Sequence, residues 1–443
     1  MGPRSGLGPV SQAKDETYIT PALDFSNREP SEGGIRGNFS QIYHPISAID
    51  DDGPYEFRVR TNASELLHAP LTRVGGEVQI LKSTGEHTTD TDDVSVCNLP
   101  IDSMFGAVVV EMESVKIEDT SYCYPYKAFW EKTLSYNRGA KDTHMQNAIY
   151  HDDTANFFDT VEGGKGNEGL DRRAVRFKNS KVVHFYIPLS LDISTITKPL
   201  PNNTSYVFRF SRNSDAFVLM TNGGYKIHLK KLYLEVVKLI PQDNVLQNIE
   251  RRFNSSGLTY EVSHTKIVKY SIPAGVYEAS QYSVFDKTTL PRFVMLGLVK
   301  QSAFSGNKTN NPFRFIHGDM NEVSLLHNNV PIPSTPFRPN WDSGDFYRMY
   351  GHFFDNLGHY HGDSTNGITP EQFSQGLTLI AFDLSPDKCN GHHRHRDHMH
   401  GEISIRMNFK KQTPQVLTLL VYAVFESSLT VSKNEGVVPN YIL

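Results

Sequence analysis

Cysteine is nearly absent from this chain: three residues in 443, at Cys97, Cys123 and Cys389. An odd, scattered set without metal or redox spacing excludes a disulfide framework and a thiolate metal site, and predicts reduced thiols. Tryptophan is scarcer still, with two residues against 26 phenylalanines and 21 tyrosines. Long apolar runs are missing as well. No window approaches the ~18 consecutive apolar residues of a membrane-spanning helix, and no signal-peptide core is expected at the N-terminus. A phosphate-cradling Gly-x-x-x-x-Gly-Lys-Ser/Thr loop and a nucleophile elbow are both absent, which removes two common routes to catalysis. Excess positive charge is lacking too. The formal charge is −5, which argues against a surface that neutralises nucleic acid broadly.

What is present points to β structure. Phe and Tyr suit pleated, half-buried surfaces, and the length fits two domains of roughly 200 residues. From Pro54 to Arg60 apolar and polar residues alternate strictly, as in a half-buried strand. Gly76–Leu81, Phe105–Ile117, Val182–Pro188, Tyr206–Phe210, Ala216–Met220 and Lys226–Ile240 continue the pattern. A second run covers Thr265–Ile272, Arg292–Lys300, Phe313–Ile316, Val323–His327, Leu377–Leu384, Glu402–Phe409 and Val416–Phe425. Between the runs, residues 241–262 carry a short helical pattern that ends at Asn254-Ser255-Ser256-Gly257. The expected division is an arm (1–39), a first sandwich (40–245), a second sandwich (246–430) and a tail (431–443). The fold class is therefore all-β: two tandem eight-stranded jelly rolls, with short helices in the connections. No sequence repeat relates the halves.

Two helices interrupt the strands. Tyr126, Phe129, Trp130, Thr133 and Leu134 recur at helical spacing just after Pro125, so residues 125–137 are expected to form a helix. Phe129, Trp130 and Leu134 are expected to dock it against the first sandwich. A second helix is expected over Ser343–Asn356, with Phe346, Met349, Tyr350 and Phe353 on one side.

The most tempting chemical feature is the tract His392, His393, His395, His398 and His400. Five histidines in nine residues could hold a borderline metal, but the tract sits beside Pro386 and Asn390-Gly391, where a solvated loop is the default. These residues are kept as weak metal candidates and as a surface that charges near pH 6. A cupin-type metal site needs more than the His359-Tyr360-His361 pair supplies, because the next glutamate, Glu371, is too distant. Asp50-Asp51-Asp52 and Asp152-Asp153 read as solvated turns. Arg172-Arg173 with Arg176 and Lys178 reads as a solvated edge or a subunit contact. No catalytic residue and no cofactor are assigned.

A resemblance spans most of the chain. Tyr124-Pro125-Tyr126-Lys127-Ala128 is similar to the Tyr-Pro-Tyr-(Arg/Lys)-Ala signature of the major capsid proteins of Maverick/Polinton-type elements and their adintovirus relatives. Further blocks come in order: Tyr43-His44-Pro45-Ile46 with Gly53-Pro54-Tyr55-Glu56-Phe57, Asp152-Asp153-Thr154-Ala155, and Arg212 through Met220. Leu290 through Val299, Asn311 through Phe315 and Ala381 through Asp387 complete the set. The C-terminal Asn434 through Tyr441 and the histidine tract depart from the pattern. The resemblance implies a structural, non-enzymatic capsid subunit, built of two upright jelly rolls. It implies a homotrimeric, hexon-like capsomer that meets neighbouring capsomers, penton and minor capsid proteins in an icosahedral shell around double-stranded DNA. No sequence-specific nucleic-acid contact and no membrane span are implied. The place implied is the virion, assembled in the host nucleus or cytoplasm. Two other readings stand beside it. One is a carbohydrate-binding β-sandwich, for which exposed Tyr and Trp platforms would be the discriminating feature; the other is a host-retained endogenous copy of the capsid gene.

Overall fold

The computed structural model describes residues 33–285, 289–385 and 400–441. Among the described residues, sixteen strands build the four main sheets. The first eight are β1 (Ile35–Tyr43), β2 (Tyr55–Arg60), β3 (Leu66–Lys82), β4 (Phe105–Met112), β5 (Val115–Asp119), β6 (Val183–Pro188), β7 (Ser205–Arg212) and β8 (Tyr225–Pro241). They pair in the orders β1-β8-β3-β6 and β2-β7-β4-β5. The second eight are β9 (Leu258–Ile272), β10 (Glu278–Gln281), β11 (Phe293–Lys300), β12 (Met320–His327), β13 (Val330–Phe337), β14 (Leu379–Asp383), β15 (Ile403–Phe409) and β16 (Leu417–Ser432). Their orders are β9-β16-β11-β14 and β10-β15-β12-β13, and β17 (Gly436–Pro439) adds to the end of β16. Raising every label of the first pair of sheets by eight reproduces the second pair. The chain is a double jelly roll, and the repeat that the sequence hides is carried by topology.

Local chemistry explains the strands. In β2, Tyr55, Phe57 and Val59 are buried while Arg58 and Arg60 face solvent, the period-two pattern of a strand with one wet face. Strand β11 (Phe-Val-Met-Leu-Gly-Leu-Val-Lys) is buried over its first seven residues because it lies between β16 and β14 with both faces covered. Gly297 stands at its centre for a steric reason: a Cβ there would come within 2.6 Å of the Phe315 ring. Strand β13 contains Pro331, Pro333 and Pro336, and it lies at a sheet edge, where lost N–H donors cost least.

Among the described residues, the longer helices of the connections are α1 (Tyr124–Ser135), α2 (Glu168–Phe177), α3 (Asp243–Ser255) and α4 (Tyr347–Asn356). Helix α3 links the sandwiches and has no buried residue. Two expectations need correction. Phe313–Ile316 is not a strand but a loop with one bridge, Phe315 to Leu377, because its rings turn towards α1. Asp215–Val218 is a helical turn, followed by the two-residue strand Leu219–Met220. Residues 157–172, polar and glycine-rich in sequence, run into α2.

Candidate functional site

The two sandwiches meet around α1. Pro125 occupies its first turn, where the missing N–H costs nothing. Ten of its twelve residues are buried, including two lysines. The sequence predicts one apolar face docked on the first sandwich, yet the helix also packs against the second. Phe129 stacks on Phe313 with ring centroids 4.3 Å apart. Trp130, fully buried, lies 5.5 Å from Phe315 and edge-on to Tyr422 of β16 at the same separation. Tyr126 stacks on Phe304 at 5.8 Å. Aromatic pairs of this geometry add to the burial of the rings themselves. The docking expectation is therefore corrected: α1 is the shared core of both sandwiches.

A helix enclosed on most sides must neutralise its buried lysines, since an unpaired buried ammonium is costly. Lys132 Nζ lies 2.7 and 2.8 Å from the two oxygens of fully buried Asp102, and Tyr124 donates to the same carboxylate at 3.2 Å. Lys127 Nζ lies 2.9 Å from Glu118 Oε1 of β5 and 2.6 Å from Asp192 Oδ1, in the turn Asp192–Thr195. The other oxygen of Asp192 accepts from the Thr265 backbone N–H at 2.8 Å and faces His264 Nδ1 at 3.2 Å, both on β9. Glu118 accepts from the backbone N–H groups of Asp192 at 2.7 Å and Ile193 at 3.1 Å. The tail closes this cluster: Tyr441 stacks on His264 at 4.5 Å and its hydroxyl donates to the Ile117 carbonyl at 2.7 Å.

Burial and charge act against each other here. Burial pushes the Glu118 carboxyl up, and Lys127 only partly offsets it. For Asp192 burial is again the largest influence, but Lys127 and His264 outweigh it and hold the carboxyl below its usual range. Burial opposes the Lys127 charge, and Asp192 and Glu118 overcome it, so its pKa lies well above the usual value. Glu131, one turn along α1 and 3.9 Å from Lys127, is pushed up to about 7 by burial. Beside it opens a cavity of about 750 Å³, lined by Glu131, Lys132, Tyr136, Asp192, Arg292 and Tyr422.

A second polar knot fastens the loop 152–159. Fully buried Arg173 of α2 pairs with Asp153, whose carboxylate also accepts from Asn167 at 2.9 Å and Asn311 at 3.0 Å. Asp159 binds Lys300 at 2.8 Å, Arg314, and the Asn311 backbone N–H at 2.9 Å. Arg173 is thus an interior anchor and not part of a solvated patch, and Asp153 is not a solvated turn residue. The missed signal was local: Asn167 caps α2, Glu168 and Asp171 favour its first turn, and Leu170, Arg173 and Phe177 share its buried face. Asp51 likewise is occupied, by His228 at 3.0 Å and the Leu229 N–H at 3.2 Å.

Of the histidine tract, His392, His393, His395 and His398 lie outside the described residues; His400 is described and exposed. Among the described residues no group of three or more His, Cys, Asp or Glu is arranged to hold a metal ion, and no helix is long and apolar enough to cross a membrane.

No family model matches the chain. It is similar to "Uncharacterized protein F54H12.2" of Caenorhabditis elegans, 24% identical over 395 residues, covering 86% of this chain and 91% of that protein. Among solved structures, a chain of the Sputnik virophage superposes with a TM-score of 0.63 at 13% identity, covering 99% of this chain and 94% of that one. The Faustovirus major capsid protein gives 0.59 at 10% identity, covering 94% and 93%. The mavirus major capsid protein gives 0.52 at 10% identity, covering 100% and 97%. The likeness runs through both jelly rolls in one chain, so this protein has the double jelly-roll fold found in these viral proteins.

Proposed function

We propose that this chain is a major capsid protein, a structural subunit of the Maverick/Polinton and adintovirus kind. The observation that carries the reading is the duplicated strand order, which overlaps the Faustovirus and mavirus capsid proteins over nearly their full lengths. Three copies close a hexon-like homotrimer, and trimers tile an icosahedral shell around double-stranded DNA with penton and minor capsid proteins. The assembly units are the two sandwiches, about residues 40–245 and 246–430, with terminal arms 1–39 and 431–443. Closed symmetry favours a ring of identical subunits. An obligate interface in it would bury more than ~2,000 Å². The histidines at 392–400 are assigned to lateral contacts that weaken near pH 6.

Analytical ultracentrifugation of the purified chain at neutral pH, with negative-stain microscopy, tests the reading. A trimer with a pseudo-hexagonal outline is expected; a monodisperse monomer at micromolar concentration overturns it. A host-retained copy of the capsid gene is favoured by the nematode relative of similar extent; neighbouring packaging-ATPase and protease genes distinguish the two. The carbohydrate-binding reading loses its tryptophan platform. Trp130 is fully buried, and Trp341 is sandwiched between His317 at 4.4 Å and Phe346 at 5.5 Å.

A further inference from the structure

We propose that Lys127 and Asp192 join in an intramolecular amide cross-link, formed once per chain with Glu118 as the proton-transfer group. All parts of an acyl-transfer site are already assembled at this cluster. The nucleophile is Lys127 Nζ, 2.6 Å from Asp192 Oδ1 and so beside its carboxyl carbon. The proton carrier is Glu118 Oε1, 2.9 Å from the same nitrogen. Two donors converge on the other oxygen, Oδ2: the Thr265 N–H at 2.8 Å and His264 Nδ1 at 3.2 Å, which carries its hydrogen because it faces a carboxylate. They occupy the position of an oxyanion hole. Lys127, Glu118, Asp192 and His264 are all buried, which limits bulk water at the reacting atoms, and the cavity that reaches Asp192 gives the released water a way out.

The step balances without a co-reactant. In the resting pair Lys127 is an ammonium and Asp192 a carboxylate. The ammonium passes one proton to Oδ1, and the freed amine pair attacks the carboxyl carbon. The carbon–Oδ2 π pair moves onto Oδ2, where Thr265 and His264 hold the charge. Glu118, whose buried carboxylate is more basic than a free one, takes a second proton from the nitrogen. It returns that proton to Oδ1 as the carbon–Oδ1 bond breaks and the Oδ2 carbonyl re-forms. One amide and one water result, and Glu118 ends as it began. The strong ion pair opposes the first proton transfer, and fixed contact offsets this, because held reactants behave as if at very high concentration. His264 and Thr265 belong to the second jelly roll. The bond therefore forms only after both rolls have docked, and it locks α1 to the Asp192 turn.

Intact-mass measurement of the full chain, folded and aged at neutral pH, tests this directly. The wild type is expected to be lighter than its sequence by one water, with a tryptic species joining residues 117–132 to residues 182–209. Glu118→Gln and Lys127→Arg are expected to keep the full sequence mass. K127R retains a cation for the pair, so its circular dichroism should match the wild type. A folded wild type of full mass overturns the proposal. So does a water lost within one peptide, as from an imide at Asp52-Gly53, or the same loss in folded K127R.

Discussion

The two jelly rolls share one strand order and differ in what they insert into it. Each places its largest helical insertion at the equivalent position: residues 120–182 between β5 and β6, and residues 338–378 between β13 and β14. The first insertion delivers α1, buried on nearly every side and packed on both rolls. The second delivers α4, which buries only Met349, Phe353 and Phe354 and lies against β14 of its own roll. Their edge strands differ as well. On β9, Glu261 and Lys269 face solvent, charges that blunt a sheet edge. On β1 the exposed residues include Ile35, Phe39 and Ile42. Topology is thus shared by both halves, while only the first insertion supplies a helix buried between them; the second reaches across through Asn366, whose carbonyl accepts from Lys141, and Gln372, which donates to the Asp153 carbonyl.

Truncation of α1 should break this asymmetry most severely. Trp130→Ala is expected to cost about 3–5 kcal/mol, the usual range for a large ring removed from a core. It should also loosen both rolls, read as faster hydrogen exchange in β16 as well as β4. Phe353→Ala in α4 should speed exchange around β14 and leave α1 protected. Equal effects of the two substitutions would mean the insertions play equivalent roles.

Asp153→Asn sharpens the comparison at the second knot, because it leaves fully buried Arg173 without its counter-charge. A loss of roughly 1.5–3 kcal/mol in denaturant unfolding is expected, the range for hydrogen bonds to a charged group.

Glu131 gives a pH signature confined to the first roll's insertion. Its pKa is raised from 4.5 to about 7 in the folded chain, chiefly by burial. The folded state therefore binds this proton more tightly than the unfolded state, and the stability it supplies is lost as pH rises from about 4.5 to 7. Glu131→Gln should flatten stability across that window and be more stable than wild type at pH 8. Thermal unfolding at pH 4, 6 and 8 measures it; an unchanged slope would place Glu131 in water.

Tyr441→Phe should have the smallest effect. It removes one hydroxyl contact to Ile117 and keeps the ring on His264, so a loss of about 0.5–1.5 kcal/mol is expected. A much larger loss would make the tail a principal fastening between the rolls.

Patterns of period two and 3.6 were legible from residues alone. They located β2, the core of β8, α1 and α4, because each buries one side chain set at a fixed interval. Strands β1 and β13 were illegible because Gly37, Asn38 and three prolines mask the alternation; both are edge strands, where such residues are tolerated. The block Tyr-Pro-Tyr-Lys-Ala was visible as a string, but nothing in it says that Lys127 is buried.

By itself the sequence determined the fold class, through alternation, aromatic content and turn residues, since these act between near neighbours. The tertiary structure alone decided which charges leave the surface. Glu118, Lys127, Asp192 and His264 are far apart in the chain, and each would be solvated in isolation. Only when α1 is closed in between two sandwiches does desolvation force them into one cluster, where each charge requires the others.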